Sequence, residues 1–217
     1  MKLKIDLKII FFLIIFYLAN NMDIYLYMML FAGLHECGHL FLGMIMGMKL
    51  ECINIIPFGF SVKFKISKEE YKKNKDKFKR LEVKKILIAI AGPIVNAIFI
   101  IVFYLNKYNF INNTYAIYAN IIIAIFNLMP IYPLDGGRIL KSILNLLIGR
   151  KLSCTYTEVI SKIFMFVLTL GGSILVYYLK NIAIFFAIIY LWGIVLKEGN
   201  TQKIKSRIYD LIGNENI

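Results

Sequence analysis

Along the chain, long apolar runs alternate with short polar or basic stretches. Six windows carry few charges: 7–20, 24–48, 86–105, 115–130, 159–179 and 182–197. About 20 helical residues cross a hydrocarbon core of ~30 Å, so the shorter windows must borrow interfacial flanks to span it. One run has a different period. In FGFSVKFKIS, residues 58–67, Phe60, Val62, Phe64 and Ile66 fall on one face and Ser61, Lys63, Lys65 and Ser67 on the other, which is the alternation of a strand. With ECINII before the break at Pro57-Phe58-Gly59, this predicts a β-hairpin at the membrane surface. The Lys-rich residues 68–85 that follow read as a solvated or headgroup-facing helix. The expected fold is an all-α polytopic membrane protein of about six transmembrane helices with a small membrane-associated β-hairpin. Residues 1–197 are assigned to the transmembrane domain and 198–217 to a short cytoplasmic tail.

Composition strengthens the membrane reading and charge orients it. Of 217 residues, 59% are hydrophobic, with mean hydropathy +0.70, too apolar for a soluble domain of this length. With six spans, residues 1–8, 49–85, 135–158 and the tail from 197 share one face and hold 3, 12, 4 and 4 basic residues. The other face has only Lys107 and Lys180, and Lys162 begins the fifth span. The positive-inside rule then places both termini and the long basic loop in the cytoplasm. The net charge of +13 reflects topology and attraction to anionic headgroups, so nucleic acid is not an expected partner. Residues 9–19 after a basic start resemble a signal peptide, but Tyr17-Leu18-Ala19 lacks the small-x-small cleavage pattern, and the segment is expected to stay. Cys37, Cys52 and Cys154 show no paired spacing and suggest no disulfide framework.

Prolines and glycines cluster twice. Ala91-Gly92-Pro93-Ile94-Val95-Asn96 is expected to interrupt the third span, and NLMPIYPLDGG, residues 127–137, to end the fourth. Irregular backbone at membrane depth survives only where protein or a watery cavity satisfies it, so both clusters are expected to face an interior.

The chemistry lies in FAGLHECGHLFLG, residues 31–43. On a helix, His35 and His39 stand about 40° apart around the axis and about 6 Å along it, so both imidazoles can reach one metal ion. Glu36 can approach a water at that metal from the side, the HExxH arrangement of zinc peptidases. These are the only histidines in the chain, and a glutamate at membrane depth costs about 2.5–3.5 kcal/mol unless paired, coordinated or solvated. A catalytic zinc site usually has three protein ligands. Among the carboxylates and thiols, Asp135 is the best candidate for the third, beside Gly136-Gly137 where backbone can approach closely. It could instead cap a helix starting near Arg138. Cys37 points away from His35 and reads as core, while Cys52 and Cys154 fall at loop positions that nothing orients toward a metal.

HECGH in an apolar helix, AGPIVN, and then NLMPIYPLDGG resemble the site-2 proteases, the intramembrane zinc metalloproteases of peptidase family M50. The resemblance covers residues 35–137 in three ordered motifs. It implies a three-helix catalytic core, one Zn2+ held by His35, His39 and Asp135, and Glu36 as catalytic acid and base. It further implies positioning or shaping roles for Asn127, Asn96 and Pro133, for which satisfying broken helix backbone is an equal alternative. The size and topology look most like the sporulation branch, typified by stage IV sporulation protein FB. Tyr132 departs from that motif at a position often proline. The chain ends about twenty residues after the last span, so control by a C-terminal nucleotide-sensing CBS domain does not carry over.

The function expected is an intramembrane endopeptidase of a bacterial cell membrane, acting on a membrane-associated protein such as a sporulation transcription-factor precursor. Membrane-protein regulators and the lipid bilayer are the other partners. A metal transporter using the same three ligands for ion transit is the alternative, and a catalytically dead scaffold is a third, opposed by the intact ligand set.

Overall fold

A computed structural model describes residues 2–18, 20–56, 59–65, 75–105, 112–180 and 182–214. The chain divides into two compact units, 1–127 and 128–217. The Ile66 and Ser67 end of the expected strand, and 68–74 of the expected basic helix, lie outside the described residues.

The first unit runs β1 (Lys2–Ile5), α1 (Lys8–Leu18), α2 (Met22–Ile45), β2 (Lys49–Ile56), β3 (Gly59–Lys65), α3 (Lys75–Leu105) and α4 (Asn113–Leu128). β2 and β3 form the expected antiparallel hairpin, with Ile53 opposite Val62 and Ile55 opposite Phe60. A third strand was not foreseen: β1 pairs parallel with β2, and β3 is left at the sheet's edge. KLKI is too short and too charged for its pattern to stand out. Asp6 then caps α1, its Oδ1 accepting from the Lys8 backbone N–H at 3.1 Å.

The core of this unit joins α2, α3 and α4. Phe31 and Ala32 pack with Ala116, Ala119 and Ile123, and the Phe31 ring meets Phe99 and Phe103 edge-on. Small residues set the α2–α3 spacing. A Cβ on Gly38 would come within 2.7 Å of Val95 and 3.0 Å of the Ala91 carbonyl oxygen, so only glycine permits this approach.

α3 corrects one expectation. Gly92-Pro93 does not interrupt it, because the helix continues from Lys75 to Leu105 with Pro93 inside. Pro93 withholds only the one donor that the Ala89 carbonyl would have used, and long flanking turns on both sides carry the helix past it. The NLMPIYPLDGG segment does break the chain, between Leu128 and Asp135.

The second unit comprises α5 (Asp135–Ile148), α6 (Arg150–Leu179) and α7 (Ile182–Asn214). Residues 135–158, expected as a loop, are helical: α5 followed by the first turns of α6. RILKSILNLLI has the period of an amphipathic helix, which a search for uniformly apolar spans passes over. The expected tail from 198 continues α7 as far as Asn214. α6 and α7 pack as a helical hairpin around Lys180, whose φ is +49°, and the Trp192 indole N–H donates to Thr169 Oγ1 at 2.9 Å.

Four described helices are long and apolar enough to cross a membrane: Met22–Ile45, Asp76–Leu105, Arg150–Tyr178 and Ile184–Ile204. The windows expected at 7–20 and 115–130 become α1 and α4, of 11 and 16 residues. Large side chains such as Ile101, Phe166 and Tyr178 stay exposed along the long helices, a surface suited to lipid. The chain is an integral membrane protein. The cysteines depart from expectation: Cys37 is exposed, whereas Cys52 in β2 and Cys154 in α6 are buried in regular structure.

Candidate metal centre

α2 presents His35 and His39 toward α3, both 2% exposed. Their protonation follows from partners that can act in only one way. The Asn96 amide nitrogen donates to the Asn120 carbonyl at 3.2 Å, which turns Asn96 Oδ1 toward His35 Nδ1, 3.1 Å away. His39 Nδ1 lies 2.7 Å from the Ile88 carbonyl oxygen. Both partners accept, so both Nδ1 atoms carry the proton and both Nε2 atoms present lone pairs.

Those two Nε2 atoms are 3.1 Å apart. Two imidazoles with the proton on Nδ1 have no hydrogen to share there, and a cation between them would satisfy both lone pairs. Two nitrogens on one tetrahedral zinc at ~2.05 Å would be roughly 3.3 Å apart, so the spacing fits a single Zn2+. Gly92 supplies the room: a Cβ there would lie 2.5 Å from each Nε2. The residues present fit the metal on these grounds alone.

Asn96 is completely buried and acts on His35 from α3 as the outer partner that fixes ring orientation. Sequence reasoning had named Asn96 without that bond, and had missed the Ile88 carbonyl and the space over Gly92. A glycine in the middle of a helix costs roughly 1 kcal/mol relative to alanine, and that cost was the available signal.

Glu36 lies between the histidines on the same helix, and its carboxylate accepts the Val62 backbone N–H of β3 at 3.1 Å. β3 is seated along α2 at two further points, since Phe60 rests on Gly33 and Phe64 on Gly43. A Cβ on Gly43 would come within 2.1 Å of the Phe64 ring. The glycines that read as a helix-packing surface therefore receive a strand.

Asn127, in the last turn of α4, donates its amide to the Ile123 carbonyl of its own helix at 3.0 Å. In the second unit, Pro133 follows a cis peptide bond from Tyr132, and Asp135 opens α5, 3% exposed, with Arg138 Nη1 at 3.6 Å from its Oδ1. Asp135 is not the helix cap; that position is Leu134, without a side-chain cap bond. Gly136 and Gly137 lock the first turn of α5 onto the preceding segment, because a Cβ on either would fall within 2.5 Å of backbone atoms of Leu128 or Ile131.

The chain is similar to known proteins. The model for peptidase family M50 matches residues 24–112 and 106–171. A zinc metalloprotease of Methanocaldococcus jannaschii is 32% identical over 157 residues, which is 68% of this chain and 42% of that protein. The chain thus spans about two fifths of that relative's length. The solved structure of a site-2 protease from Methanocaldococcus jannaschii aligns with a TM-score of 0.65 at 25% identity, covering 91% of this chain and 90% of that one. The chain belongs to peptidase family M50.

Proposed function

We propose that the protein is an intramembrane zinc metalloendopeptidase of the site-2 protease type, cleaving a membrane-associated protein. The observation that carries this reading is the pair of Nε2 lone pairs 3.1 Å apart, with a carboxylate on the same helix turn. Asp135 is the third ligand in this proposal, brought by the glycine-locked first turn of α5. Zinc bound there would polarise a peptide carbonyl and lower the pKa of a water to about 7.

The chain's own residues do the rest. Glu36 accepts the proton of the attacking water and passes it to the leaving amine. Asn96 and the Ile88 carbonyl keep both rings turned so that Nε2 faces the metal. An extended substrate segment adds to the edge of β3, where backbone donors give affinity and flanking side chains give register. Val62 N–H, which Glu36 accepts from, is a donor such a strand would use, so docking releases the carboxylate for its role as base. Asn127 and Pro133 shape the approach to the metal. Cytoplasmic termini are part of this proposal, supported by the charge distribution, and a bacterial cell membrane is carried over from the sporulation-branch resemblance. The sporulation-branch resemblance suggests a transcription-factor precursor as substrate, and regulators that are themselves membrane proteins.

The decisive comparison co-expresses wild type and Glu36→Gln with candidate single-span or membrane-tethered substrates. Wild type should release a fragment that Glu36→Gln does not, while both retain zinc. Fragment release by Glu36→Gln, or zinc flux across the membrane that Glu36→Gln leaves intact, would favour metal transit instead.

A further inference from the structure

A cavity of about 220 Å³ opens between α6 and α7, remote in sequence from the HECGH helix and unused by the proposed chemistry. Thr155 and Glu158 line it from α6, and Gln202, Lys203, Ser206 and Arg207 from α7. A water occupies about 30 Å³ of liquid volume, so this space admits a group of phosphate size with its solvation.

The lining is cationic and rich in donors. Glu158, its one carboxylate, is already held by Lys162 at 2.6 Å and Lys203 at 3.3 Å. Arg207 adds a guanidinium that no described carboxylate pairs with. Gln202 is 2% exposed, and its oxygen accepts from Lys141. An ammonium can only donate, so the amide orientation is fixed and Nε2 is turned out as a donor. That Nε2 finds no acceptor within hydrogen-bond length. A buried donor without an acceptor is costly, and an anion in the cavity would satisfy it.

The cavity's depth in the helical hairpin identifies the source of that anion. It lies where both helices pass from apolar to basic sequence, with Arg150 and Lys151 on α6 and Lys203, Lys205 and Arg207 on α7. Leu152, Tyr156, Val159 and Ile163 form an exposed apolar stripe on α6 at helical spacing, flanking Thr155, and Ile204 is exposed on α7 beside Arg207. We infer that this cavity is a phosphate-anion site that takes the headgroup of an anionic phospholipid, whose acyl chains lie along the apolar flanks. The inference does not depend on the peptidase reading.

The test uses full-length protein in nanodiscs of phosphatidylcholine containing a minor fraction of phosphatidylglycerol, with lipid retained after delipidation counted by native mass spectrometry. Wild type should keep phosphatidylglycerol about tenfold in preference to phosphatidylcholine. That preference should vanish in the double variant Lys203→Gln/Arg207→Gln and persist in Lys180→Gln, at the other end of α6. Ser206→Glu, which puts a carboxylate beside the cavity, should reduce retention in the same way and serves if the double variant does not fold. Equal retention of the two lipids, or full retention by folded Lys203→Gln/Arg207→Gln or Ser206→Glu, would overturn the site. Binding of inorganic phosphate that phosphatidylglycerol does not displace would overturn its assignment to lipid.

Discussion

At the residue scale, the metal centre is a matter of which atoms can donate. The His35 and His39 spacing was legible in the sequence because 3.6 residues per turn places i and i+4 on one face whatever else the chain does. Gly92 and the bond from His35 to Asn96 were not, since they depend on which face of α3 meets α2. Two substitutions separate these parts. Gly92→Ala should remove zinc from the purified protein, because the methyl would lie 2.5 Å from both Nε2 atoms. The helix itself should be intact, as alanine favours it by roughly 1 kcal/mol over glycine. Zinc content and circular dichroism check the two halves, and a zinc-loaded Gly92→Ala protein would refute this account of the space. Asn96→Leu removes the bonds that Asn96 makes to His35 Nδ1 and to the Asn120 carbonyl. Zinc affinity, measured by competition with a chelator, should fall 10- to 100-fold. Asn96→Asp restores an acceptor to His35 and should recover part of that loss, whereas a purely packing role would not distinguish the two.

At the element scale, strand alternation in FGFSVKFK announced β3, whereas the expected break at Pro57-Phe58 lies outside the described residues. What the pattern could not carry was what flanks the hairpin on each side. β1 comes from a four-residue segment at the other end of this unit's sequence, and the α2 contact depends on glycines 33 and 43, spaced to receive rings 60 and 64. The hairpin thereby becomes part of the site, since Val62 N–H reaches Glu36. Val62→Pro tests this link. The Val62 N–H points to Glu36 and away from β2, and an edge position without a ladder bond is where a strand tolerates proline. The variant should bind zinc as wild type does and cleave a membrane-tethered substrate at least about tenfold more slowly, a loss on the scale of one charge-assisted hydrogen bond. Unchanged turnover would remove β3 from the proposed docking mode, and lost zinc would mean that the strand holds α2 itself in place.

At the scale of the whole molecule, helix length and charge give different counts of crossings. Four described helices are long enough to span, while α1 and α4, at 11 and 16 residues, extend only roughly 16 and 24 Å. The sequence windows blurred this difference, because a hydropathy run does not reveal where a helix starts and stops. The positive-inside rule favours the larger count, which we propose. If α1 and α4 turned back without crossing, the 12 basic residues of 49–85 and the 4 of the tail from 197 would lie on opposite sides of the bilayer. If both cross, these two groups and the basic residues of 1–8 and 135–158 share one side, as positive-inside orientation requires. The cost of a short crossing, fractions of a kcal/mol per Å of mismatch, would be met by bilayer thinning and interfacial flanks. Single cysteines introduced at Asn21, Asn112 and Lys180, in a chain whose own three cysteines are replaced by serine or alanine, should therefore react with a membrane-impermeant maleimide from the outer face of intact cells. Cysteines at Lys77 and Lys203 should react only after the cells are opened. Labelling of Lys77 from outside, or protection of Asn112, would mean that α1 does not cross, and the cytoplasmic placement of the basic loop would fall with it, whereas protection of Lys180 with labelling of Lys203 from outside would mean that α4 does not cross.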